Sequence, residues 1–108
     1  MGLSIEDRFG SNATLVNGVL QVQVSDLAVV GLNNADPTPD QVFGALVLLN
    51  EANQPTSAAD DPTVGVTIEK GFKNFVDRDS TPQIEQQYTV SLLKSDTSGT
   101  IDPDDIGA

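Results

Sequence analysis

Cysteine, histidine and tryptophan are all absent from this chain of 108 residues, and basic side chains are scarce, with five in total. Without histidine or cysteine, the chain lacks the most common general base, the most common zinc ligands, the activated thiol and every disulfide bond. No apolar run approaches the about 20 residues of a membrane-spanning helix, and the N-terminal residues lack the basic-then-apolar order of a secretory signal. We therefore expect a soluble protein of the cytoplasm or of a virion, with no membrane partner and no cofactor.

The charge of the chain is strongly one-sided. Sixteen acidic residues stand against the five basic ones, which gives a formal net charge of −11. Because such a chain repels phosphates across a Debye length of about 8 Å, we expect no nucleic-acid partner. The same charge favours solubility at high concentration. An acidic inhibitor that mimics the charge of nucleic acid is an alternative function.

Length and composition predict one domain over residues 1–108, because 38% apolar residues are enough for one core but not for two. The predicted fold is α+β: an antiparallel β-sheet of about five strands packed on one helix, with extended arms at both ends. The N-terminal arm, 1–12, includes a short helix, and the C-terminal arm, 95–108, is acidic. An all-β sandwich with a helical insertion is the alternative fold.

Capping signals predict two helices. A serine three residues before an acid, followed by Gly10, predicts one capped turn over Ile5–Phe9. The run Thr38-Pro39-Asp40-Gln41 supplies an N-cap hydroxyl, a proline at the first helical position and a glutamine that closes a capping box. It opens a helix over Thr38–Asn50, in which Val42, Leu46 and Leu49 are predicted core positions. Since Phe43, Val47 and Leu48 widen the apolar stripe, this helix needs cover on more than one side, from the sheet or from another subunit.

Strand signals occur in both halves of the chain. Asn17-Gly18 between apolar residues is the strongest short-range hairpin signal. The predicted strands are Thr14–Val16, Val19–Val24, Val64–Glu69, Phe72–Val76 and Ile84–Leu93. Lys70-Gly71 is predicted to form a turn or a bulge, after which Phe72–Val76 is the return strand of a Val64–Val76 hairpin. Asp77–Pro82 is predicted to be a turn. Leu27–Leu32 is predicted to be a further strand or a buried loop, and Asn50–Pro62 a long loop of the kind that is often functional or mobile.

Carboxylates are the only plentiful reactive groups, so calcium sites need consideration. Asp96 and Asp102 belong to an alternating series of oxygen side chains that continues to Asp104, as in a calcium-binding loop. The series places Gly107 where the closing bidentate ligand belongs. A second series that begins at Asp77 places Pro82 where the sharp-turn glycine belongs. Asp96, Asp102 and Asp104 are therefore weak calcium candidates, and a calcium-dependent ligand-binding module is an alternative function.

Residues for catalysis are scarce. A serine nucleophile without histidine needs a lysine or a carboxylate as its base. Ser91 and Lys94 have the spacing of a serine–lysine pair, but an odd offset on a strand directs the two side chains to opposite faces. We therefore predict no catalytic residues and no enzyme.

The distribution of charge favours self-association. Three of the five bases, Lys70, Lys73 and Arg78, fall within nine positions, whereas the last fourteen residues carry four acids and no base. The basic strip of one copy and Asp102, Asp104 and Asp105 of another are therefore interface candidates. The sequence predicts a non-enzymatic structural or interaction subunit that forms a homo-oligomer and contacts other structural proteins. Its small size, lack of catalytic groups and strong turns favour a virion component, such as a capsid-decorating or tail-associated protein of a phage.

Overall fold

The computed structural model of the chain describes residues 2–96 and 99–107. Over these residues the fold is α+β, with two α-helices, three short 3₁₀ helices and four strands. The elements in chain order are α1 (Ile5–Phe9), β1 (Thr14–Val16), β2 (Val19–Gln21), a first 3₁₀ helix (Val24–Val30), α2 (Pro39–Asn53), a second 3₁₀ helix (Thr56–Ala59), β3 (Val66–Arg78), β4 (Thr81–Leu92) and a third 3₁₀ helix (Pro103–Asp105). The strands pair only within two separate antiparallel hairpins, β1–β2 and β3–β4. The predicted sheet of about five strands on one helix therefore does not form in the described residues.

Helix α2 begins where its capping box predicts. The Thr38 hydroxyl accepts a hydrogen bond from the backbone N–H of Gln41 at 3.2 Å, and the Gln41 side chain accepts one from the backbone N–H of Thr38 at 3.0 Å. The helix continues beyond the predicted end at Asn50 as far as Asn53. Part of the predicted Asn50–Pro62 loop is thus helical, and within it Ala58 of the second 3₁₀ helix is buried.

The core is small and centres on α2. Leu27, Ala45 and Leu49 form the buried cluster, against which Val30, Leu32, Val42 and Leu46 pack. Leu27 belongs to the first 3₁₀ helix, so the Leu27–Leu32 segment is not the third strand that was one of the two expectations. This helix ends at Gly31, whose φ of 101° lies in the left-handed region, which glycine adopts without the penalty of a Cβ.

The short hairpin β1–β2 turns at Asn17 and Gly18, which have φ values of 53° and 75°, as the sequence predicts. Its second strand ends at Gln21 instead of Val24, because the chain then enters the first 3₁₀ helix. Both strands are exposed along their whole length.

The β3–β4 hairpin is much longer than predicted. Register pairs run from Val66 opposite Leu92 to Arg78 opposite Thr81. A bulge between Lys70 and Lys73 lets β3 continue, so the predicted return of the chain at Lys70-Gly71 is wrong, whereas the alternative of a bulge is confirmed. The chain returns at Asp79 and Ser80, within the predicted Asp77–Pro82 turn, and their φ values of 51° and 63° are positive.

Both predicted arms lie against the rest of the fold. On the N-terminal side, the Asn50 amide donates to the backbone carbonyl of Arg8 at 2.8 Å, which ties α1 to α2. On the C-terminal side, Ile106 forms a β-bridge with Lys94, and the Gly107 N–H donates to the Leu93 carbonyl at 3.0 Å. The described part of the acidic segment therefore folds back beside the base of the β3–β4 hairpin.

Candidate interaction surface

Residues 69–89, which include the turn, form an arm that projects from the remaining described residues, which we call the body. All 21 of these positions are described, and none of them is buried. The most exposed large apolar side chains on the arm are Phe75 at 84%, Phe72 at 79% and Ile84 at 64%. Apolar side chains at such exposure are unusual when they are grouped on one element, and such groups mark interaction sites.

The arm is firmly anchored at its base. The Gln54 side chain donates to the Ile68 carbonyl at 3.2 Å and accepts from the Ile68 N–H at 2.8 Å, so it pairs with the outer edge of β3 as another strand would. The Arg8 guanidinium donates to the Val66 carbonyl at 2.9 Å. Burial lowers the pKa of Arg8, and the charge of neighbouring Asp7 acts in the opposite direction. These contacts join the base of the hairpin to the body.

The register gives the hairpin one mainly apolar and one mainly polar face. Cross-strand partners share a face, and alternate positions along a strand return to it. The apolar face carries the pairs Val66–Leu92, Ile68–Val90, Lys70–Tyr88, Lys73–Gln86 and Phe75–Ile84. On the other face, Glu85 accepts hydrogen bonds from the Asn74 amide at 3.3 Å and the Gln87 amide at 3.0 Å. The first face thus presents uncovered apolar side chains, with Lys70, Lys73 and Gln86 between them. The second face is mainly polar, although the exposed Phe72 at the bulge lies beside its residues Gln87 and Thr89.

The apolar face continues onto the body as an open groove of about 320 Å³. Its lining includes Phe9, Phe43, Leu46, Val47, Val66 and Val90. Phe43 projects from α2 and is 71% exposed. The broad apolar stripe that the sequence predicts for α2 is therefore covered by the core on one side only, and its other side joins the uncovered face of the hairpin.

The molecule exposes more surface than a compact monomer of its mass. Its accessible surface is 7821 Å², whereas a compact monomer of 11.3 kDa has about 5,700 Å². The Cα radius of gyration is 15.9 Å, against about 13 Å for a compact domain of similar length. The excess of about 2,000 Å² is larger than the about 800 Å² that each partner contributes to a standard protein–protein interface.

The predicted charged strip is only partly basic. Lys70, Lys73 and Arg78 all lie on β3, but the register places Lys70 and Lys73 on one face and Arg78 on the other. The same arm also carries the acids Glu69, Asp77, Asp79 and Glu85, so its formal charge is −1. Asp102, Asp104 and Asp105 lie in or next to the third 3₁₀ helix, beside the base of the hairpin. The fold does not bring the two predicted charge groups together within one chain.

Among the candidate calcium ligands, Asp102 has a structural role. The Asp102 carboxylate accepts the backbone N–H of Asp104 at 3.0 Å and so caps the third 3₁₀ helix. Asp96 is exposed, and residues 97–98 of the same series lie outside the described residues. Asp77 is at the end of β3, and Asp79 forms the hairpin turn. In the described part of the chain, no three acidic side chains are grouped closely enough to hold a metal ion.

Comparisons of the chain with protein-family models, with curated proteins and with solved structures found no match. None of the described helices is long and apolar enough to cross a membrane. A function is therefore best inferred from the arm and the groove themselves.

Proposed function

We propose that the protein is a non-enzymatic structural subunit that assembles with copies of itself through the β3–β4 arm. The observation that carries the proposal is the arm itself: a two-stranded ribbon, uncovered on its apolar face, with Phe75 84% exposed. A single two-stranded hairpin is marginally stable in water, and three or more strands or a packed face are needed to support it. A partner on the arm supplies that support.

The surface area supports the same proposal. Burial of apolar side chains such as Phe75 and Ile84 yields about 25 cal/mol for each Å² removed from water. The excess of exposed surface over a compact monomer is large enough for one standard interface, which takes about 800 Å² from each partner. Association through the arm therefore brings the exposed area toward that of a compact protein.

A virion component, such as a capsid-decorating or tail-associated protein of a phage, is the setting that we favour for such a subunit. The support comes from the small size, the lack of histidine and cysteine, and the projecting arm. Assemblies of this kind are built from contacts between many copies, which small subunits with extended elements provide. Other structural proteins of the same particle are then further partners.

Light scattering coupled to size exclusion tests the proposal through the mass in solution. At physiological salt and micromolar concentration, we expect a mass that is a multiple of 11.3 kDa. Replacing both Phe75 and Ile84 with serine removes apolar area from the arm and should shift the mass toward the monomer.

The matched control is Val29→Ser, because Val29 is 77% exposed and apolar but lies on the body. This substitution should leave the mass unchanged. A wild-type protein that stays monomeric at high micromolar concentration would contradict the proposal, as would an oligomer that dissociates equally with the arm and the control substitutions.

A further inference from the structure

We infer that the outer edge of β4 is the surface on which two copies pair, antiparallel and about a two-fold axis, to form a continuous four-stranded sheet. This inference rests on the proposed assembly through the arm and specifies its geometry. It depends on a difference between the two edges of the hairpin and on the self-complementary sequence of β4.

The outer edge of β3 is protected. At the base, Gln54 occupies the N–H and the carbonyl of Ile68, and Arg8 binds the carbonyl of Val66. Farther along, β3 has a bulge and five charged residues: Glu69, Lys70, Lys73, Asp77 and Arg78. Covered ends, bulges and charges, lysine above all, are the features by which natural sheets block pairing at an edge.

The outer edge of β4 has little of this protection. The strand is twelve residues long and regular, and Glu85 is its one charged residue. A single proline, Pro82, stands at its beginning. Among the described residues, no group from outside the hairpin forms a hydrogen bond with the backbone of β4. A long, regular and nearly uncharged edge is a template for another strand.

The contacts of β3 show which backbone groups of β4 are free. Ile68 directs its N–H and carbonyl toward Gln54, away from β4, so its pair with Val90 is a non-hydrogen-bonded pair of the antiparallel ladder. The bulge interrupts β3 but not β4, so alternation continues along the whole of β4. The residues that turn both backbone groups outward are therefore Ile84, Gln86, Tyr88, Val90 and Leu92, and Pro82, which has no N–H, adds its carbonyl.

One two-fold register uses all six of these residues. With the axis at Gln87, Ile84 lies opposite Val90 of the second copy, and Gln86 lies opposite its Tyr88. Ile84 and Val90 thus bring apolar, β-branched side chains together on this face, where such cross-strand pairs stabilise a sheet. Glu85 lies opposite an uncharged Thr89, and the two copies of Glu85 are about 14 Å apart, beyond a Debye length of about 8 Å. The strand is therefore a suitable partner for itself.

Cysteine cross-linking tests the register, since the natural chain has no cysteine to interfere. In this register, Gln87 faces its own copy as a non-hydrogen-bonded pair with a Cα–Cα distance of about 4.5 Å, within the range of about 4.4–6.8 Å that a disulfide spans. Under mild oxidation, Gln87→Cys should give a disulfide-linked dimer as its main product.

The matched control is Gln83→Cys, because Gln83 is exposed on the same face of the same strand. Its two copies would be about 27 Å apart, so it should give little covalent dimer. If the wild-type protein is oligomeric but the two variants cross-link equally or not at all, pairing through β4 is wrong while assembly through the arm stands. If the wild-type protein is monomeric and neither variant cross-links, both the pairing and the proposed assembly are wrong; an extended peptide of another protein is then the better candidate for the edge.

Discussion

The body and the arm of this protein differ in the burial of their apolar side chains and in their charge. The body places Leu27 and Leu49 at 0% and 4% exposure, caps its helices with capping boxes and ties its segments together with side-chain amides. The arm has no buried residue, yet it carries several of the largest apolar side chains of the chain. The arm also contributes −1 of the formal net charge of −11, which leaves −10 on the rest of the chain.

This contrast teaches that stability and assembly depend on separate residues. Substitutions in the core of the body should change the free energy of unfolding, since they remove contacts that one chain makes with itself. Substitutions on the arm should change association and leave the unfolding of the monomer almost unaffected, because exposed positions contribute little to it.

The largest effect is expected in the core of the body. Leu49→Ala should reduce the free energy of unfolding by about 2–5 kcal/mol, the range for deleting a buried leucine side chain. Leu48→Ala is the control, because it makes the same change at the adjacent position of α2, where the side chain is 37% exposed. Urea unfolding at low protein concentration measures both. Equal losses in the two variants would contradict the placement of the core.

The link between body and arm should give the next largest effect. Gln54→Ala leaves the N–H and the carbonyl of Ile68 without their partner at a part-buried position. The loss of partner for such groups costs about 1–3 kcal/mol, which urea unfolding can detect. Gln83→Ala, at an exposed position on β4, serves as the control and should change stability much less. A Gln54 variant that is as stable as this control would show that the anchor contributes nothing to the fold.

The cap of α2 should contribute less. Thr38→Ala removes the hydroxyl that accepts the Gln41 N–H and should cost about 1 kcal/mol. Thr38→Ser keeps a hydroxyl at the same position and should retain most of the stability. The two melting temperatures, compared with that of the wild-type protein, test the expectation. It is wrong if serine and alanine are equally destabilising.

The smallest effect is expected from salt. Because each copy has a net charge of −11 and the arm is not basic overall, screening should tighten self-association slightly. From about 0.05 M to about 0.5 M salt, we expect the dissociation constant to fall by less than about threefold. Light scattering across a salt series measures it. A marked weakening with salt would instead favour the electrostatic contact predicted from Lys70 and Lys73.

Local signals in the sequence identified the elements whose residues determine their own backbone. Thr38 and Gln41 predict the start of α2, and Asn17-Gly18 predicts the first hairpin, because each motif satisfies or bends the backbone within a few residues. The turn at Asp79 and Ser80, both with positive φ, lies within the predicted Asp77–Pro82 turn. The sequence did not distinguish a turn from a bulge at Lys70-Gly71, because a glycine inside a strand is compatible with either.

The candidate surface was harder still to predict. Alternation along Ile84, Tyr88 and Val90 correctly indicates that one face of a strand is apolar. The same pattern does not show whether that face is covered by the chain itself, since cover depends on elements that are distant in sequence. Here the core around α2 and Leu27 is small and covers the hairpin only as far as Ile68. The arm extends beyond Ile68 and stays uncovered.

The length of the arm has a further consequence in the dimer that we propose. Twelve residues of β4 extend for about 40 Å, and antiparallel pairing over that length sets the two bodies at opposite ends of the shared sheet. That separation is several times a Debye length of about 8 Å. The ribbon thus acts as a spacer: two strongly acidic bodies share one sheet, while dissolved salt screens the charge of each from the other.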